Sequence, residues 1–271
     1  MPTAGQGCAM SGSGAAAAVT YNLRKSNLCT GAVMFRVIFL LALMLLAGFA
    51  SADENGVRQL IAGKFPQAKL GGVAKTTYGG LYEVYMDGDI HYTDEKVSFV
   101  IIKGQLIDTK TSLNVTEQRF RKLTALNLKD LPPPEMAIKR VKGDGRRQLI
   151  VFSDPMCPYC RRIEQEFAKL NNVTIYVFPY PIEKKFPGTT ELSKAIWCAP
   201  DRAKAWDEWM QKGTRPTNKA TCATPVDELD KIGNKLGISV TPTVIFADGA
   251  PMSGMVSAPD MDRLMNQTPA H

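Results

Sequence analysis

The sequence predicts two folded modules: a small α+β unit, then a larger α/β unit that carries a helical insertion, with a helix and a proline run between them. Three observations predict this. Short strand patterns separated by Asp87-Gly88 and Lys103-Gly104 turns fill residues 53–112. Leu131-Pro132-Pro133-Pro134 interrupts the chain near its middle with a stiff, extended segment. Beyond it, the apolar run Leu149-Ile150-Val151-Phe152 leads into a helical pattern opened by Cys157-Pro158-Tyr159-Cys160.

Residues 1–20 are low in complexity. Arg24-Lys25 and Met34-Phe35-Arg36 then precede an apolar run over 37–49 that ends in Ala50-Ser51-Ala52. A basic flank, a short apolar core and an A-x-A site read as a secretory signal peptide, residues 1–52, cleaved after Ala52. The run is short for a membrane-spanning helix, which needs about 20 apolar residues, although an uncleaved anchor is the alternative. Met34 gives a more ordinary start than Met1, so residues 1–33 read as an over-extended beginning. The protein is therefore expected outside the cytoplasm.

Within 53–112, Val57-Arg58-Gln59-Leu60-Ile61 starts a helix that Lys64-Phe65-Pro66 ends. Leu81–Met86, Ile90–Tyr92, Val97–Ile102 and Gln105–Asp108 read as strands of a meander with an exposed edge, the kind of edge that pairs with a copy of itself. Asn114 and Glu117 form a capping box, and Phe120, Leu123 and Leu126 give the helical stripe behind it. Residues 113–135 therefore read as a linker helix with a proline-rich hinge.

Residues 136–271 order themselves as strand (149–153), helix (157–170), strand (174–178), a mostly helical insert over about 189–236, strand (243–246), a hairpin and a last helix near 259–265. That order, with a CxxC opening the first helix, is the order of a thioredoxin-like fold. The spacing also explains the chemistry. Cys157 falls at a helix N-terminus, where unpaired N–H groups and the positive end of the macrodipole favour a thiolate. Pro158 suits the first turn, Cys160 lies near enough to resolve a mixed disulfide, and Arg161 is expected to favour the thiolate further. Residue 157 is expected to be exposed and more reactive than an ordinary thiol. Half of a zinc site and an inert disulfide are the alternatives. Zinc needs two further ligands, and His91 and His271, the chain's two histidines, are far from any cysteine in sequence. No metal and no cofactor is expected.

The chain has six cysteines, and Cys8 and Cys29 leave with the presequence. The remaining four in an oxidising compartment suggest two pairs, Cys157–Cys160 as the redox pair and Cys198–Cys222 as a structural staple of the insert, with a buried free thiol at Cys198 as the alternative. Such a loop, about 25 residues, is credited with roughly 3.5 kcal/mol by chain entropy. The formal charge of +7 falls to +4 with the loss of Arg24, Lys25 and Arg36, and the remaining basic residues form no block that would track nucleic acid. Val240-Thr241-Pro242 precedes the strand at 243, where a proline argues for a backbone constraint. A cis bond there would aim backbone groups beside the cysteines, where a substrate strand could dock.

Taken together, the signal, the small N-terminal module, the linker helix, Phe152-Ser153-Asp154-Pro155-Met156-Cys157-Pro158-Tyr159-Cys160, Ala195-Ile196-Trp197-Cys198 and Val240-Thr241-Pro242 resemble the periplasmic disulfide-bond isomerases of the DsbC/DsbG type. The resemblance covers the whole mature chain. It implies a cystatin-like dimerisation domain, a V-shaped homodimer, a cis bond at Pro242 and a membrane reductase of the DsbD type that keeps Cys157 and Cys160 reduced. The CPYC interior and the Val-Thr-Pro triplet also occur in DsbG-like members, associated with chaperone activity and the protection of single oxidised cysteines. The pair Cys198 and Cys222 matches the DsbC branch. The expected activity is rearrangement of wrong disulfides in misfolded secreted proteins, with chaperone activity; the rivals are a DsbG-like reductase, a secreted oxidase and a holdase chaperone with incidental cysteines.

Overall fold

Helix α1 (Ala52–Lys64) opens the described part of the chain, which runs from residue 52 to 267 in this computed structural model. Residues 1–51, where the signal peptide is expected and Cys8 and Cys29 fall, and residues 268–271, with His271, lie outside the described residues. Among the described residues no helix is long and apolar enough to cross a membrane. The chain divides into two units, one ending at Lys103 and one beginning at Gly104.

In the first unit, Val57 and Ile61 sit one turn apart on α1 and pack against Tyr82, Val84, Met86 and Val97. Behind them lie β1 (Leu70–Lys75), β2 (Tyr82–Met86), β3 (Asp89–Thr93) and β4 (Val100–Ile101), antiparallel neighbours in chain order. Asp87 and Gly88 both take positive φ, 53° and 84°, the turn geometry whose twist matches a hairpin. Strand β1 escapes the sequence pattern because Gly71-Gly72 reads as punctuation. Gly71 instead meets a need for space, since a Cβ there would stand 2.6 Å from the Tyr85 ring. The strand expected over 97–102 shrinks to Val100–Ile101, because Val97 takes a φ of 50° that no strand continues.

The second unit begins with a hairpin of β5 (Ile107–Asp108) and β6 (Leu113–Asn114), so the strand expected at 105–108 pairs here and not in the meander. Helix α2 (Val115–Thr124) follows, with the Asn114 side chain accepting the Glu117 N–H as the capping box predicts. Arg121 to Asp248 (2.6 Å), Arg263 to Glu117 (2.9 Å) and the Leu126 N–H to the Gly249 carbonyl (2.8 Å) hold α2 to the rest of this unit.

The main sheet orders β7 (Ile138–Lys142), β8 (Arg147–Ser153), β9 (Val173–Pro179), β10 (Thr243–Ile245) and β11 (Pro251–Ser253) as β11-β10-β8-β9-β7, with β8 and β9 parallel and the other pairs antiparallel. Helices α3 (Pro158–Lys169), α4 (Thr189–Trp197), α5 (Arg202–Lys212), α6 (Val226–Lys235) and α7 (Ala258–Gln267) complete the unit. Leu149 and Val151 of β8 enter one core cluster with Ile163, Phe167 and Trp206, while Ile150 and Phe152 enter a second with Phe178 and Leu229. A strand buried on both faces explains the unbroken apolar run. Within the insert, residues 213–225 are not helical, and the Cys198–Cys222 disulfide fastens them to the end of α4.

Candidate active site

The C-terminal end of β8 delivers Ser153 and Asp154 to a short loop that turns into α3. Cys157 is the N-cap residue of α3 and Pro158 occupies its first turn, so the Cys157 carbonyl already accepts the Arg161 N–H. From the opposite side comes the loop before β10, in which the Thr241–Pro242 peptide bond is cis. The Cys157 Sγ donates to the Thr241 carbonyl at 3.4 Å. Thus Cys157, Cys160, Thr241 and Pro242 come together, with Val240 at the rim and 38% exposed.

Electrostatics separate the two thiols. The Cys160 thiol donates to the Cys157 sulfur and, against the cost of burial, brings Cys157 down from 9.0 to about 6; the Cys160 and Tyr159 N–H groups and Thr241 add to the effect. Burial dominates at Cys160 and pushes its thiol well above the ordinary range. The Asp154 N–H points at the Cys160 Sγ at 3.4 Å. The hydroxyls of Thr241, beside Cys157, and Ser153, beside Cys160, are enclosed and spent on no hydrogen bond elsewhere. Each can donate to a sulfur that becomes charged.

Cys157 is not open in the sense the sequence reading expects, being 4% exposed. The Cys160 thiol, which favours the thiolate, and the Thr241 carbonyl, which accepts from the protonated Sγ, both lie against it. The rim is accessible, with Tyr159 54% exposed, whereas Met156 packs half-buried against the core. Arg161 also departs from expectation. Its guanidinium lies over the Trp209 ring, 5.4 Å from the centre, and is not among the leading causes of the Cys157 shift.

Residues 134–269 match a thioredoxin-like domain, and residues 48–117 match the N-terminal domain of disulfide bond isomerase proteins. A Bordetella pertussis protein named "Probable thiol:disulfide interchange protein DsbC" is 38% identical over 210 residues, which is 78% of this chain and 73% of that one. This chain belongs to the DsbC family of thiol:disulfide interchange proteins. The Escherichia coli K12 thiol:disulfide interchange protein DsbC is 26% identical over 227 residues, 82% of this chain and 91% of its own. A crystal structure of a disulfide interchange protein from Neisseria gonorrhoeae aligns at 40% identity with a TM-score of 0.49, covering 50% of this chain and 97% of that one.

Parts of this DsbC-family site escape the sequence pattern. Asp154 is buried, and its carboxylate accepts from Met156 N (2.7 Å), Ile182 N (2.6 Å) and Thr189 Oγ1 (2.5 Å), fixing the loop that leads to Cys157. Burial raises its carboxyl while those donors oppose the rise. Trp209, from the helical insert, donates its Nε1–H to the Pro155 carbonyl at 2.7 Å. An acid at the end of an apolar strand is the one local signal that could have marked Asp154; nothing local points to Trp209, more than 50 residues away.

Proposed function

We propose that this chain is an exported, homodimeric disulfide isomerase and reductase, acting through Cys157 and Cys160 on wrong disulfides in misfolded secreted proteins. One observation carries the reading: a thiol held at about 6 at the mouth of a helix faces a second thiol pushed the opposite way. At neutral pH the first is ionised and the second protonated, the state in which exchange begins.

The Cys157 thiolate attacks one sulfur of the substrate disulfide, that S–S bond breaks, and the other substrate sulfur leaves as a thiolate. In isomerisation, a second substrate thiolate attacks the substrate sulfur of the mixed disulfide, makes the new pairing and returns Cys157 as a thiolate, with no net electron transfer. In reduction, Cys160 gives up its proton and attacks the Cys157 sulfur. The substrate then leaves with two electrons and the protein keeps a Cys157–Cys160 disulfide. A membrane reductase of the DsbD type would restore the dithiol.

The A-x-A site ending at Ala52 supports export to the periplasm. Exposed Phe99, Ile101 and Ile102 at the outermost strand β4 support pairing with a second copy. Exposed Tyr159 and Val240 beside the nucleophile support contact with unfolded chains, the basis for a chaperone component. The deciding measurement is recovery of activity by a scrambled multi-disulfide protein in a glutathione buffer. The reduced protein should restore it and Cys157→Ser should not. If Cys157→Ser restores it equally, the holdase reading takes the place of the enzyme.

A further inference from the structure

Three arginines on and near the redox helix have no acidic partner among the described residues. Arg161 and Arg162 lie on α3 one turn after Cys157, Arg215 follows α5, and all three are exposed. Aromatic faces hold them. The guanidinium carbons of Arg161 and Arg215 stand 5.4 and 6.0 Å from the centre of the Trp209 ring, and that of Arg162 stands 5.6 Å from the Tyr159 ring. Both rings belong to the site: Tyr159 lies between the two cysteines in sequence, and Trp209 is hydrogen-bonded to Pro155.

Among the described residues none of these three meets a carboxylate, whereas Arg121, Arg140, Arg146, Arg147 and Arg263 each close on an aspartate or glutamate. The neighbouring acids are taken: Glu164 by Arg140 and Trp206, Glu166 by Lys169, and Glu208 by Lys204 at 4.0 Å. A guanidinium stacked on a ring is held in place while its N–H edge stays free for a carboxylate.

We propose that Arg161, Arg162 and Arg215 form a docking surface for acidic segments that flank the disulfide being exchanged. The carboxylates of such a segment pair with the guanidinium edges as its sulfur reaches Cys157. This rests on the exchange function proposed above. Complementary charge acts mainly on encounter, and it fades as the screening length shortens from about 10 Å at 0.1 M salt to about 3 Å at 1 M.

The test compares two peptides of equal length with the same disulfide-linked reporter, one flanked by Asp and Glu and the other by Asn and Gln, reduced by the full-length dithiol protein. The acidic peptide should react about three- to tenfold faster at low salt, and the ratio should fall towards one at 1 M salt. In R161Q/R162Q/R215Q the low-salt ratio should also fall towards one, while R161K/R162K/R215K, which keeps the charge, should retain a ratio above the glutamine variant. Equal, measurable rates with the unaltered protein overturn the docking surface alone. An acidic preference that survives in the glutamine variant, or a lysine variant as flat as the glutamine one, overturns it too. If neither peptide is reduced, the exchange function falls, and the docking surface with it.

Discussion

The thiols of Cys157 and Cys160 are driven apart by a contact they share: the hydrogen bond that stabilises one as a thiolate depends on the other staying protonated. This has a measurable sign. Cys157 titrates below its ordinary value, so its thiolate is lost as pH falls through about 6. The rate of alkylation of residue 157, followed by mass spectrometry, should therefore rise with pH to a midpoint near 6, and a midpoint near 9 would remove the ionised nucleophile from the mechanism. The same shift gives the reduced protein, relative to Cys157→Ser, stability that grows as pH rises from about 6 and is complete only above about 9, where the unfolded thiol also ionises. At this scale the two cysteines are legible because their spacing and their place before a helix carry the chemistry. The place of the Arg161 guanidinium is not legible, because helical spacing gives nearness without direction, and a ring 48 residues along the chain holds it. Ser153 and Asp154 become functional only through burial, which the surrounding sequence does not state.

The elements are held in register by a buried charge network. Glu164 on α3 accepts from Arg140 of β7 (2.5 Å) and from Trp206 Nε1 of α5 (2.8 Å), and Arg140 also reaches Asp207 at 2.8 Å. Edge strand, redox helix and insert thus meet at one carboxylate that is 3% exposed. Removing Glu164 leaves the buried Trp206 Nε1–H without an acceptor and Arg140 with Asp207 alone, at a cost of about 1–3 kcal/mol. Glu164→Ala should lower the urea midpoint accordingly, and a change below about 1 kcal/mol would show that the network holds nothing together. Strand β7 itself was not legible: Ile138-Lys139-Arg140-Val141-Lys142 places three cations in five residues and shows no apolar alternation. Those cations have structural work at a sheet edge, Arg140 on Glu164 and the Lys142 ammonium on the carbonyls of Phe167 and Ala168 at the end of α3. The strands β8 and β9 were legible because burial on both faces leaves an unbroken apolar run.

For the whole molecule, the prediction concerns assembly. Strand β4 ends the four-stranded sheet with two residues, and Ile101 and Ile102 are 43% and 70% exposed. An apolar edge of this kind invites an identical edge. Light scattering on the mature protein should give twice the chain mass, and I101K/I102K should give the single-chain mass. A variant that stays dimeric would move the contact away from this edge. The Cys198–Cys222 bridge has a consequence at the same scale. Cys222 is exposed, Cys198 is half-buried and Cys160 is sealed in the core, so the bond that must stay oxidised is the easier to reach. A cell that uses this protein as a reductant has to keep one dithiol open and one bridge shut in a single polypeptide. A reductant that does not discriminate meets the exposed bridge before the sealed Cys160, and opening that bridge unfastens the insert whose Trp209 steadies the loop behind both thiols.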